Sequence, residues 1–120
     1  MVSLGFVNQK EIAEWYGIAD LFVLSLEREP WGLAVNEAMA AGAIPIVSDC
    51  AGCGPDLVTA DIGWVYKTAD IHALAAAIDA ASLCADIDRR RRAAQDRAYE
   101  WGIAATAAGI EAAVESVVAK

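Results

Sequence analysis

Residues Leu21 to Ser48 read LFVLSLEREPWGLAVNEAMAAGAIPIVS, and this stretch decides the fold. Leu21-Phe22-Val23-Leu24 is an unbroken apolar run of strand length, the pattern of a strand covered on both faces. A polar loop follows from Ser25 to Trp31. From Gly32 the apolar residues fall at helical spacing through Leu33, Val35, Met39 and Ala40, and Gly42 is placed to stop the helix. Pro45-Ile46-Val47 then starts a second apolar run. Strand, helix and strand with short connections predict a parallel βαβ unit with a right-handed crossover.

The same alternation extends both ways. Upstream, Leu4–Val7 reads as a strand. Asn8, with Glu11 three residues on, reads as the N-cap of a helix that reaches about Tyr16 and is ended by Gly17. Downstream, Gly52 to Pro55 is a glycine-rich loop, Leu57-Val58 sits on a short helix, and Gly63–Tyr66 is a further strand. Asp70 caps a helix to about Leu83, Asp86 caps another to about Trp101, and Ile103–Val118 is a last helix. Ligands of open α/β sheets bind beyond the carboxyl ends of the strands. That places Asn8 and its neighbours, Ser25–Gly32 and Ser48–Pro55 at one mouth.

Composition narrows the function. The chain has 120 residues, room for one small domain, and is 58% hydrophobic. No uninterrupted run of about 18 strongly apolar residues and no basic-apolar leader is evident, so no membrane span and a cytoplasmic setting are expected. Three cysteines, Cys50, Cys53 and Cys84, read as reduced thiols. The formal net charge of −8 excludes a nucleic-acid footprint.

Within the central stretch, Glu29-Pro30-Trp31-Gly32-Leu33-Ala34-Val35-Asn36-Glu37 carries the candidate chemistry. A helix N-terminus presents unpaired amides and a partial positive charge, which suit phosphate. Gly32 lets a ligand approach the backbone. Main-chain dipoles of this kind can hold a diphosphate without a lysine or arginine, which answers the acidic balance in part. Glu29 and Glu37 are acceptors, matched to the hydroxyl groups of sugars. Taken on spacing alone, two glutamates eight apart read first as a helix-start acid and a solvated one.

The run EPWGLAVNEAMAAGAIPIVS closely resembles the signature block of the family 4 retaining glycosyltransferases, which have the two-Rossmann-domain GT-B architecture. The likeness continues upstream in LGFV and EIAEWYGIADLFVLS and downstream in SDCAGCGPDLV and GWVYKTADIHALAAAI, covering about residues 4 to 82. It implies a Rossmann-like parallel sheet flanked by helices, the C-terminal, donor-binding half of such an enzyme. Residues 1–85 would form its α/β part and 86–120 its C-terminal helices.

By this resemblance Glu29 lies against the donor sugar as its bond breaks, and Glu37 contacts the ribose hydroxyls. The amides of Leu33 and Ala34, after Gly32, meet the distal phosphate. The main chain at Val7 pairs with the base. The donor would be a UDP- or GDP-linked sugar, the outcome retention, and no metal or other cofactor is expected. The acceptor, a saccharide or glycolipid, would be held by an N-terminal domain that this sequence lacks. An arginine and a lysine that clamp the diphosphate in the family also precede this stretch, and neither Lys10 nor Arg28 matches them. Very weak donor binding and no transfer by the chain alone are therefore expected. A stand-alone nucleotide-sugar binder, half of a split enzyme and an inert fragment are the other readings.

In the family two further strand-helix units come earlier, and their strands lie between those matching Leu4–Val7 and Leu21–Leu24; without them Leu4–Val7 would pair directly with Leu21–Leu24, pair with a partner, or go without a fixed place. Self-association through an exposed sheet edge or the last helix is a further expectation. Cys50-Ala51-Gly52-Cys53 reads as a structural loop with incidental thiols rather than a metal or redox half-site. Arg89–Arg92 reads as a solvated, salt-bridged helix face, with peripheral contact to anionic lipid headgroups as the alternative. His72, the one histidine, reads as a surface residue.

Overall fold

The computed structural model describes residues 1–120. The elements in chain order are α1 (Gln9–Ile18), β1 (Leu21–Leu24), α2 (Leu33–Ala40), β2 (Ile44–Ser48), α3 (Gly54–Leu57), β3 (Trp64–Tyr66), α4 (Ile71–Ser82), α5 (Ile87–Glu100) and α6 (Ile103–Val118). The strands form one parallel sheet in the order β1-β2-β3, with Leu21 opposite Ile44 and Ile46 opposite Trp64. The α/β expectation is met.

Alternation along β2 explains the layering. Val47 points to one face, where it joins Val35 and Met39 of α2, Leu57 of α3, and Ala94 and Ala98 of α5. Ile46 points to the other face and meets Tyr66 with Ala77 and Ala81 of α4. Every residue of β2 is buried. The Leu21–Leu24 run, expected to be covered on both faces, is not. β1 is an edge strand, and Val23 is 39% exposed, while Phe22 and Leu24 pack towards α2 and α5.

Local signals account for most boundaries. Asn8 Oδ1 accepts from the amides of Lys10 (3.0 Å) and Glu11 (3.1 Å), as an N-cap should. Asp70 Oδ1 accepts from the Ala73 amide at 2.9 Å and caps α4. Replacing Asp70 with Ala is expected to cost about 1 kcal/mol, read as a lowered urea midpoint with unchanged slope. Gly17 does not end α1, which runs one residue further and stops where Ala19 turns extended. The short third helix begins at Gly54, inside the stretch read as loop.

Two expectations are corrected. Leu4–Val7 forms no strand, and no backbone hydrogen bond joins Met1–Val7 to the sheet. A strand is stable only against a neighbour, and β1, the nearest candidate, bonds to β2 alone. Asp86 stands at the start of α5 but caps no amide. Its carboxylate is taken up by Arg89, by Arg90 Nε (3.3 Å) and by the Cys84 thiol (2.7 Å). The Cys84 hydrogen bond and then the Arg89 guanidinium hold this carboxyl far below the usual carboxylate range.

The arginine run is largely spoken for. Arg89 pairs with Asp86. Arg90 donates to the Ala60 carbonyl at 2.8 Å and lies 4.6 Å over the Trp64 ring. Arg91 reaches Asp20 at 2.7 Å. These contacts and the buried Ala94 and Ala98 fasten α5 to the sheet layer, in keeping with the salt-bridged reading.

Within the helical stretch Ile87–Val118, one 18-residue window is apolar enough by length and composition to cross a membrane, though Glu111 and Glu115 interrupt the apolar residues of its later half. Continuity of α5 and α6, interrupted only by a turn at Trp101-Gly102, produces this, together with abundant alanine. The first half is fastened to the sheet. The second, α6, has no buried residue.

Candidate functional site

In a parallel sheet the loops that leave the strand ends lie side by side. Here the loop after β1 and the loop after β2 are laced together by main-chain bonds. Glu29 N donates to Cys50 O (3.4 Å), Gly52 N to Glu29 O (2.9 Å) and Cys53 N to Trp31 O (2.9 Å). Glu29 and Ala51 thereby form a parallel bridge outside the sheet proper. Below it, the buried Ser48 hydroxyl donates to Leu26 O at 2.7 Å. The stretch carrying Glu29 is thus held at several points.

Gly32 closes this loop at the first turn of α2, with φ +100°. A β-carbon there would stand 3.1 Å from the Leu24 side chain and 3.2 Å from Cys53 Sγ, so both conformation and space favour glycine. No side chain caps α2. The amides of Leu33 and Ala34 donate to no protein group, whereas Val35 N closes onto Gly32 O at 2.8 Å. Glu29 folds back so that its Oε1 accepts from Trp31 N at 3.3 Å. Glu29, Gly32, Leu33 and Ala34 therefore gather at one helix end, as expected from their spacing.

Glu37 lies apart from that group. It lines a groove of about 420 Å³ between α1 and α2, with Gln9, Ile12, Ala13, Tyr16, Ala40 and Ala41. Burial, and then the nearby Glu37 charge, push the Tyr16 hydroxyl above its ordinary range. Val7, half-buried, stands just before the α1 cap and outside the groove lining. Of the three expected loops, the two after β1 and β2 are brought together; of the third, Gln9 lines the groove that Glu37 shares with α1.

Cys53 is fully buried beneath Gly32, and burial raises its thiol; Cys50 is exposed. His72 is exposed on α4. No group of three or more His, Cys, Asp or Glu side chains comes together.

Sequence reasoning passed over Asn36. Its Oδ1 accepts from Trp31 Nε1 at 2.9 Å, and its Nδ2 donates to Trp101 O at 3.5 Å. The Trp31 and Trp101 rings lie 5.7 Å apart at 30°. Trp31 packs the loop. Trp101 is 65 positions from Asn36, and no local pattern announces that pairing.

Residues 2–101 match the family described as Glycosyl transferases group 1. The chain belongs to that family. It is 32% identical over 108 residues to a glycogen synthase of Mycobacterium tuberculosis, an alignment that covers 87% of this chain and 26% of the relative. Among solved structures, a sucrose-phosphate synthase from Thermosynechococcus elongatus superposes with a TM-score of 0.80 at 26% identity, over 97% of this chain and 30% of the other. The catalytic domain of starch synthase IV from Arabidopsis thaliana, bound to ADP and acarbose, gives 0.60 at 26% identity over 78% of this chain and 22% of its own. The three-stranded unit is therefore a part of the GT-B glycosyltransferase fold, and it spans about a quarter of the curated relative's length.

Proposed function

We propose that this chain is the donor-binding half of a glycosyltransferase, holding a nucleoside diphosphate sugar at the N-terminus of α2. One observation carries the reading. The Leu33 and Ala34 amides are unpaired and open a helix without a side-chain cap, directly after Gly32 and the Glu29 turn. Such amides suit a phosphate. Glu29, at the same helix end, is placed to accept from sugar hydroxyls. Glu37, on the groove against α1, would accept from the ribose, and the main chain at Val7 would meet the base. The glycogen synthase relative and the starch synthase bound to ADP support the general kind of partner.

The chemistry would be electrostatic. A departing nucleoside diphosphate develops negative charge, and fixed amides stabilise it best where water is excluded. We assign retention of anomeric configuration and metal-free transfer on the family resemblance. Transfer needs an acceptor, a saccharide or glycolipid, and the acceptor site would lie in a further domain. The chain by itself binds donor weakly and transfers nothing.

Titration of UDP, GDP and ADP to millimolar concentration, followed by calorimetry and by NMR, checks this. Saturable binding is expected. Glu37→Ala should weaken it about tenfold, because a hydrogen bond to a charged group contributes about 1.5–3 kcal/mol. Absence of binding at millimolar nucleotide would sink the reading.

A further inference from the structure

We infer that Asn36 is a positioning residue of the donor site, fixing the Glu29 loop and the orientation of α2 at once; the inference rests on the donor-site reading above. Trp31 stands at the centre of the mouth and is held on three sides. Its amide donates to Glu29 Oε1, its carbonyl accepts from Cys53 N, and its indole N–H donates to Asn36. The first two bonds lie inside the two loops. Only the third ties them to a helix.

Asparagine suits this place chemically. The indole N–H is solely a donor and the Trp101 carbonyl solely an acceptor. The side chain between them must accept at one end and donate at the other, which a carboxamide does and a carboxylate or an aliphatic group does not. The two partners also settle which way the amide points. The Trp101 arm is the longer and more exposed of the two, while the Trp31 arm is short and part-buried.

Consecutive residues on a helix point about 100° apart. Asn36 reaches the end of α5 while Glu37 lines the groove with α1. Anchoring Asn36 therefore sets the angle at which Glu37 meets the groove. Through Trp31 the same side chain holds the turn that presents Glu29 and the Leu33 and Ala34 amides. Asn36 does not line the groove and meets the helix end through Trp31, so it acts through these residues rather than on a ligand.

The test uses the ¹⁵N-labelled full chain. Its four tryptophan indole signals are assigned by single Trp→Phe replacements. The Trp31 indole proton should exchange at least tenfold more slowly than that of the more exposed Trp15, and should shift on addition of UDP, GDP or ADP. Asn36→Leu should abolish the slow exchange and weaken nucleotide binding about fivefold to tenfold, with a melting temperature within a few degrees of the unaltered chain. Asn36→Asp keeps the acceptor and loses the donor, so it should restore protection of Trp31 and part of the affinity. Trp31→Phe should match Asn36→Leu in affinity, and the double variant should be no weaker than either, because both changes cut one tie. Should Asn36→Leu fail to fold, Asn36→Asp and Trp31→Phe carry the same comparison.

Binding by Asn36→Leu within twofold of the unaltered chain, with the Trp31 protection lost, overturns the positioning role. Fully additive losses in the double variant overturn it too. An unaltered chain that binds no nucleoside diphosphate overturns the donor site first and the positioning role with it.

Discussion

Gly52→Ala is expected to lower stability by about 3 kcal/mol or more and to part the two loops of the mouth. A β-carbon at Gly52 would lie 1.9 Å from the Pro30 carbonyl oxygen and 2.7 Å from its carbon. Both are main-chain atoms, so no rotamer change relieves the clash. Overpacking typically costs about 1–3 kcal/mol where side chains can move, and here backbone must move. The displaced strip contains the Gly52 N to Glu29 O bond and the Glu29–Ala51 bridge. Hydrogen exchange at Gly52 should speed up markedly, and the melting temperature should fall by 10 °C or more on the scale of about 4–8 °C per kcal/mol for small domains. Gly54→Ala is the control. Its β-carbon would meet nothing closer than Val47 Cγ2 at 3.9 Å, in ordinary contact, and the residue opens α3. That variant should melt within about 2 °C of the unaltered chain. If Gly52→Ala also melts there and keeps its Gly52 amide protected, the two loops are not packed as described.

Met39→Ala is expected to cost about 3 kcal/mol. Met39 is fully buried among the residues that join α2 to β2 and α5. Truncating a buried methionine to alanine removes its transfer free energy and leaves a cavity, together about 2–5 kcal/mol. Alanine and methionine differ little in helix propensity, so the loss reports packing rather than the intrinsic stability of α2. Urea unfolding should show a lower midpoint with unchanged slope. A loss under 1 kcal/mol would mean that the core under α2 closes over the gap, or is looser than its burial implies.

The parts of the fold that were legible are those whose signals are local. Apolar runs at Leu21–Leu24 and Pro45–Val47, helical spacing after Gly32, and the caps at Asn8 and Asp70 all depend on neighbours a few residues away. Leu4–Val7 carries the same apolar signal without the result, because a strand is completed by another strand's edge and its own residues cannot show whether one is there. Asp86 has a cap's identity and position, yet Arg89, Arg90 and Cys84 compete for its oxygens and win. At the site, Glu29, Gly32, Leu33 and Ala34 were legible as a cluster since one turn of chain holds them. What fixes that turn was not. The pairs Ser48 with Leu26, Gly52 with Pro30 and Asn36 with Trp101 join residues 22, 22 and 65 positions apart, and they depend on how loops and helices meet in space.

Helix α6 has a practical consequence. None of its residues is buried, and none of its side chains takes part in the lacing of the mouth or the fastening of α5. With α6 included, the chain is 55 Å long against 30 and 28 Å across. A fluorophore, an affinity handle or a surface tether joined near Lys120 would hang from this arm, far along the chain from Glu29 and Glu37.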